Sequence, residues 1–453
     1  MSVEFIGCDR ETPYLLPPSV LEWLPERHLA RFVVEIVEQL NLQALKNSYA
    51  GRGSQPYNPE MLVALLFYGY ATGVFSSRQL ERSTYDSVAF RYIAANSHPD
   101  HDTIAAFRKR FLPYLKKLFI EILAIGHQLG FLKLGAVSLD GSKVKANASK
   151  HKALSYGHAR ALERQIEAEV AELLRKAEVA DKADIPDGMD IPEELSRRTE
   201  RLKAIKEAKA EIERRASERH ASEQKEYEQK CAERRQKEQK TGKKARGKEP
   251  KPSEQTGPTD KDQVNLTDGE SRIMPLSGGG FEQAYNVQAG VDTESLLVVA
   301  AHITQSTNDK QELKPVLDAL GGLPEELGTV SALIADNGYC SEANVELCEG
   351  EQITPYIAVG RQKHNPPLWE RPQEPPPLAE GADALERMRH RLKTKEGRAI
   401  YARRKSTSEP IFGIIKAVMG FRRFMLRGAR WVSGEWDLVC MAWNIKRLHV
   451  LAA

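Results

Sequence analysis

Asp140, Asp336 and Glu409 are the side chains through which this chain could do chemistry, because each stands where a regular element starts or stops. Asp140 closes the apolar core of the alternating stretch 132–147, with Ala136, Ser138 and Asp140 on one side and Val137 and Leu139 on the other. Asp336 follows the continuous apolar run VSALIA (330–335) and leads into Asn337-Gly338-Tyr339. Glu409 lies in YARRKSTSEPIFGIIK (401–416), where Pro410 suits a first helical turn and Ile411, Phe412, Ile414 and Ile415 read as a buried face. Around it, residues 387–430 hold fourteen Lys or Arg and only two acids, Glu396 and Glu409. Three carboxylates gathered at one edge of a sheet repel each other unless cations sit among them. Hard Mg²⁺ or Mn²⁺ meets that need through oxygen ligands. Two such ions about 4 Å apart can activate a water or a 3′-hydroxyl and stabilise the leaving oxygen of an in-line phosphoryl displacement. Each acid has a plainer reading by itself: Asp-Gly at 140–141 is a hairpin signal, and Glu409 can simply balance arginines on a solvated helix. The joint pattern is more specific than any member.

The elements that must position these acids are set by period and punctuation. Residues 1–130 read as all-helical: an amphipathic run from Val20 to Leu42 broken at Pro25, a polar turn at 51–58, an apolar helix from Pro59, and further helices from Ser77 and near Asp102, the expected N-cap. Arg78, Arg82, Arg91, Arg108, Lys109 and Arg110 on the polar faces suit a DNA-binding helical domain and equally a plain bundle. The first strand comes next at 132–147. Residues 155–262 then depart from the α/β pattern. Apolar positions from Leu162 to Ala177 and from Leu195 to Ile212 predict a charged antiparallel helical hairpin, broken at 181–192 and trailed by a loosely held loop at 241–263. From Gln263 the pattern resumes with strands at 283–292 and 295–305, a helix from Asp309, the strand before Asp336, a helix from Ser341 and a strand at 353–359. A Pro-rich loop (364–379) leads to the basic segment. Gly278–Gly280 lacks a following Gly-Lys-Ser/Thr and cradles no phosphate. Lys143 and Lys145 alternate with Val144 and face one side, where DNA can lie. Asn337 and Tyr339 suit either the turn or a terminal nucleotide, Trp431 and Trp436 are expected to pack, and His302 is expected in the core.

LDGSKVKANAS (139–149), NLTDGESRIM (265–274), QAYNVQAGVD (283–292), IADNGY (334–339) and the Glu-Pro-Ile-Phe-Gly run together resemble bacterial insertion-sequence DDE transposases with a Tyr-Arg-Glu-Lys signature. The resemblance spans nearly the whole chain. It implies an α/β fold, a ribonuclease-H-like mixed sheet flanked by helices, with an all-α N-terminal domain (1–130, DNA-binding). The catalytic domain begins at 131–154, is interrupted by the charged insertion 155–262, and resumes over 263–453. It also implies Asp140, Asp336 and Glu409 as catalytic metal ligands for two Mg²⁺ or Mn²⁺ ions. Tyr401 and Lys416 match the signature's tyrosine and lysine. The usual arginine spacing falls on Lys405, with Arg404 one place further away. Because lysine lacks the bidentate fork, Arg404 is the favoured equivalent. The implied activity is binding of an element's terminal inverted repeats, metal-dependent cleavage and strand transfer to target double-stranded DNA, with at least a homodimer at synapsis. A nuclease without strand transfer, or a DNA-binding relic without chemistry, is the alternative.

Composition bounds the rest. The 453 residues carry 66 Lys and Arg against 63 Asp and Glu, a net charge of +3, so the basic concentration near the C-terminus is local rather than global. Five scattered cysteines with no paired spacing read as reduced thiols. Neither a signal-type run nor a bilayer-length apolar stretch stands out, so the expectation is a soluble, cytoplasmic, nucleoid-associated bacterial protein without a membrane partner.

Overall fold

Strands arise where the sequence alternates or stays apolar between breakers: β1 (Leu134–Lys145), β2 (Ala153–Ser155), β3 (Gln263–Asn265), β4 (Arg272–Pro275), β5 (Phe281–Asp292), β6 (Val298–Thr304), β7 (Gly328–Ala335) and β8 (Thr354–Ile357). The computed structural model describes residues 19–49, 55–183, 191–241, 249–252, 256–276, 278–360, 374–378 and 381–453. Parts of the expected turn at 51–58, the helix break at 181–192, the loop at 241–263 and the Pro-rich loop lie outside the described residues. The chain divides into two units, one of Met1–Val144, Asn286–Leu426 and Arg430–Ala453, the other of Lys145–Tyr285 and Arg427–Ala429.

In the first unit the strand order is β6-β5-β1-β7-β8. β5 and β6 are antiparallel, while β1, β7 and β8 run parallel. The helices Leu313–Gly321 and Glu342–Gly350 come after β6 and β7. The parallel register decides where the acids fall. Its last β1–β7 pair is Ser138↔Ile334, so two residues further along each strand stand Asp140 and Asp336. Parallel strands advance together, which sets the two aspartates level across the sheet.

Asp140 is therefore not at the end of its own strand, as the sequence suggests. β1 runs on to Lys145, beyond its paired stretch with β7. Gly141 suits this crowded passage, since a Cβ there would meet Gln288 Nε2 at 2.5 Å. No hairpin forms at Asp140-Gly141.

The N-terminal helices of this unit pack on a long C-terminal helix, Ala429–Ala452. That helix is buried on most sides, as expected of an element with neighbours all round. It is tied to β6 by a two-way amide contact: Asn444 Oδ1 accepts from Val298 N at 2.8 Å and Asn444 Nδ2 donates to Val298 O at 2.8 Å. The helix Pro59–Thr72 starts with Asn58 capping Glu60 N and buries every residue from Leu62 to Ala71. Among the described residues no single helix is long and apolar enough to cross a membrane. Asp100 rather than Asp102 caps the helix His101–Phe111, accepting from Thr103 N at 2.8 Å. Its other carboxylate oxygen accepts from Thr103's hydroxyl, a local fit that Asp102 cannot make from inside the first turn.

The second unit contains the helices Tyr156–Ala183 and Ile191–Thr241. Cross-helix pairs Glu163–Lys209, Glu167–Lys206 and Glu169–Arg198 run in opposite directions along the two helices, so the hairpin is antiparallel. Its apolar seam joins Ala159, Ile166, Ile205, Ala208 and Ile212 to Leu154 of β2 and Val264 of β3. These two strands pair antiparallel at the base of the hairpin, and β4 pairs with the first residues of β5. The short strands β2, β3 and β4 escape a sequence reading because runs of three or four residues carry no measurable period.

Candidate active site

Asp336 ends β7 and starts a single 3-10 turn, Asn337–Tyr339, accepting Gly338 N on Oδ1 at 2.7 Å. Across the sheet Asp140 accepts its neighbour Gly141 N at 2.9 Å. Glu409 comes from a different quarter. It lies in the first turn of the short helix Ser408–Gly413, with Pro410 beside it as expected. The hydroxyls of Ser138 and Ser408 meet at 3.0 Å in the core, which pins that helix to β1 two residues before Asp140.

The three acids converge on one guanidinium. Arg404, on the 3-10 turn Arg403–Ser406, places Nη2 at 3.2 Å from Asp140 and 3.7 Å from Asp336, and Nη1 at 2.6 Å from Glu409. Side-chain exposure grades outward, from 14% for Asp140 and 15% for Arg404 to 39% for Asp336 and 48% for Glu409. Burial pushes Asp140 up to about 6; Arg404 opposes the rise and Asp336 adds to it. Arg404 Nε is buried without a hydrogen-bond partner. Lys405 is exposed on the same turn.

Tyr401 is half-buried within electrostatic reach of Arg404 and all three acids, and burial raises its hydroxyl. Lys416 sits in a π-helical turn, Ile414–Val418, that continues the Glu409 helix. A π turn inserts a residue into the helical repeat and re-aims the side chains of that turn. Here Lys416 Nζ reaches Ser142 Oγ at 2.5 Å and Lys143 O at 2.9 Å, both on β1 beyond Asp140. Lys143 itself pairs with Asp309 at 3.5 Å. Lys145 belongs to the second unit and pairs with Glu282 at 3.3 Å.

Neighbouring candidates resolve into structure. Asn337 Oδ1 accepts Gly360 N at 2.8 Å, and Tyr339 is fully buried with its hydroxyl on Gln288 Oε1. Trp436 is buried, donating Nε1 to Gln288 O at 3.0 Å and stacking on Phe412. His302 is a correction: its side chain is one-third exposed and paired with the buried Glu312 at 3.1 Å. Asp309, Asn286 and Gln288 are not singled out by sequence reasoning. The signal for the last two is that they are amides at alternate positions of a strand that is buried over Gln283–Asp292.

The donor set is all carboxylate oxygen, the kind that hard divalent cations take, and a cation already occupies its centre as a guanidinium. Among the described residues no three His, Cys, Asp or Glu groups close on a single point, and Arg404 stands between the three acids. Such an arrangement demands positive charge and orients it toward solvent.

Residues 18–110 match the family model described as Transposase domain (DUF772), and residues 269–445 match the one described as Transposase DDE domain. The chain carries a transposase DDE domain. It is thus an enzyme of phosphoryl transfer on DNA, with a ribonuclease-H-like α/β fold and the function of DNA transposition. DDE transposases use divalent metal ions. The DDE match contains Asp336 and Glu409, whereas Asp140 precedes it. Comparison with curated proteins and with solved structures returns no match.

Proposed function

We propose that this chain is an insertion-sequence transposase of the Tyr-Arg-Glu-Lys type, which binds the terminal inverted repeats of its own element, cleaves the DNA there and joins the freed 3′ ends to target DNA. The observation that carries the reading is the convergence of Asp140, Asp336 and Glu409, from three distant parts of the chain, around one positive group at the open edge of a mixed sheet. In this reading the three acids hold two Mg²⁺ or Mn²⁺ ions. Bound metal would supply charge stabilisation for the attacking and leaving oxygens.

The chain's own residues do the rest. Asp140 and Asp336, level across β1 and β7, offer oxygens from a rigid sheet, and Glu409 offers its own from the facing helix. Arg404 brings a guanidinium fork, which can pass from the carboxylates to a phosphate oxygen once metal neutralises them. Tyr401 and Lys405 flank it, and Lys416 and Lys143 extend the positive surface along β1. Lys145, in the second unit, is a further candidate for the DNA backbone. The N-terminal transposase domain reads the repeats, and two copies meet at synapsis. A cytoplasmic, nucleoid-associated location accords with a DNA substrate.

The test is cleavage of duplexes bearing the DNA that flanks this chain's own coding sequence, with Mg²⁺ or with EDTA, by wild type and Glu409→Gln. Metal-dependent nicking at the repeat boundary that disappears in the variant supports the reading. Tight end binding with no metal-dependent cutting by wild type would leave a DNA-binding relic instead.

A further inference from the structure

Behind the acids stands a fourth carboxylate that no motif marks. Asp309 lies in the loop after β6, and its Oδ1 collects three contacts: Asn286 Nδ2 at 2.6 Å, Gln288 Nε2 at 2.8 Å and Lys143 Nζ at 3.5 Å. Asn286 and Gln288 are two apart on β5, so both amides face the same side of the sheet. Gln288 also accepts the Tyr339 hydroxyl on Oε1, and Tyr339 ends the turn that Asp336 begins. Asn344 closes the frame, donating to Lys310 O at 2.8 Å and to Tyr339 O at 2.7 Å. Space is tight throughout. A Cβ on Gly141 would lie 3.0 Å from Asp309 Oδ1, and one on Gly338 would lie 3.4 Å from Asp309 Oδ2. The glycines that come after both aspartates of the site thus make room for Asp309.

Lys143 needs such a partner. Lys416 reaches the backbone of the same residue, and the two ammonium groups repel enough that Lys143, after burial itself, lowers the affinity of Lys416 for its proton. A carboxylate fixed by two buried amides can hold one of these cations in place while the other bonds the strand.

Resting on the function proposed above, we propose that Asp309 is a positioning residue of the phosphoryl-transfer site, which acts by holding Lys143, three residues beyond Asp140 on β1, where a DNA phosphate is gripped. Asn286 and Gln288 keep the carboxylate in that orientation, and the Gln288–Tyr339 contact sets it relative to the Asp336 turn.

The experiment is single-turnover cleavage of the flanking-end duplex by the full chain at saturating protein and Mg²⁺. It compares wild type, Asp309→Asn, Lys143→Met and the double variant, with melting temperatures measured alongside and Glu409→Gln as control. Misplacing one contact by about 1 Å slows such reactions up to about 100-fold, so each single variant should cut about 10- to 100-fold slower. The double variant should be no slower than the slower single one, since both remove the same contact. Asp309→Glu should recover part of the rate, whereas a purely structural aspartate would lower the melting temperature and multiply its defect with that of Lys143→Met. Wild-type cutting by Asp309→Asn, or multiplied defects, overturns the proposal. If Asp309→Asn does not fold, Lys143→Met alone decides, and its cutting at the wild-type rate sinks the idea. Cutting by Glu409→Gln would instead remove the site reading itself.

Discussion

Glu409 and Glu435 both answer to an arginine in the same unit, and they are set up for opposite purposes. Glu409 is half-exposed at the tip of a short helix, shares Arg404 with two other acids and has open space beside it. Glu435 is fully buried in the C-terminal helix and has both oxygens engaged. It accepts Tyr70's hydroxyl at 2.8 Å, Met425 N at 2.9 Å and Leu426 N at 2.9 Å, while Arg108 reaches it electrostatically and donates to the same tyrosine at 3.2 Å. The first group is crowded with like charge and incompletely neutralised. The second is sealed, with burial pushing its carboxyl up against the opposing pull of Arg108 and its hydrogen-bond donors. Function belongs with the unbalanced one, because only there is a further cation or phosphate favoured.

The largest separation between the two should appear on removing one acid from each. Asp336→Asn should lower the cleavage rate by about 10³-fold or more, since a metal ligand contributes several kcal/mol of charge stabilisation in the transition state. End binding and melting temperature should hold, because one of three mutually repelling carboxylates has been neutralised. Normal cutting by that variant would remove Asp336 from the site. Glu435→Ala should do the reverse. Breaking a buried charge arrangement from one side typically costs about 3–5 kcal/mol, here by stranding Arg108 and two backbone donors. Urea unfolding measures it, and a loss below about 1 kcal/mol, the scale of an exposed pair, would mean that the network is not sealed.

The sequence made one half of this contrast legible. Asp336 ends an apolar run and Glu409 precedes a proline, so each announced its element, and the resemblance supplied their partnership. The level placement of Asp140 with Asp336 was not legible. Alternation tells which face a residue takes, whereas the register Ser138↔Ile334 depends on how two strands slide. Glu435 gave no signal, since an acid within a helix reads as solvated until the helix is seen to be surrounded. Asp309 hid for a related reason: the sequence reads as a helix that starts at Asp309, whereas the helix starts at Leu313 and packing brings Asp309 beside Gly141 and Gly338 instead. The hairpin insertion, by contrast, was plain, because its apolar seam repeats over several turns.

A third acid sharpens the comparison through pH. Asp437, two residues beyond Glu435, is also buried, and burial pushes it up to about 7 from an ordinary 3.8, with Lys116 and His302 opposing. The folded chain then keeps a proton that the unfolded chain releases. Stability conferred in the protonated form is therefore present below about pH 4 and declines as pH rises to about 7. Asp437→Asn should flatten that slope and raise the midpoint of unfolding at pH 8, with urea titrations from about pH 4 to 8 as the measurement. An unchanged slope would mean that Asp437 is charged and paired in the folded chain, as Glu435 is paired.

The smallest effects distinguish Arg404 from Lys405, the two residues between which spacing alone could not choose. Arg404 bridges the acids, whereas Lys405 is exposed on the same turn. Arg404→Lys keeps the charge and loses the planar fork, so it should slow cleavage about tenfold, the equivalent of one charge-assisted hydrogen bond, without changing the salt dependence of end binding. Lys405→Ala should leave the cleavage rate of the bound complex alone and reduce the slope of log affinity against log salt by about one phosphate contact. Titrations of end binding between low and moderate salt read the second effect, and single-turnover rates read the first. If Lys405→Ala slows chemistry while Arg404→Lys changes only the salt slope, the roles are exchanged. The guanidinium among the acids would then be a structural clamp of the same kind as Arg108 beside Glu435.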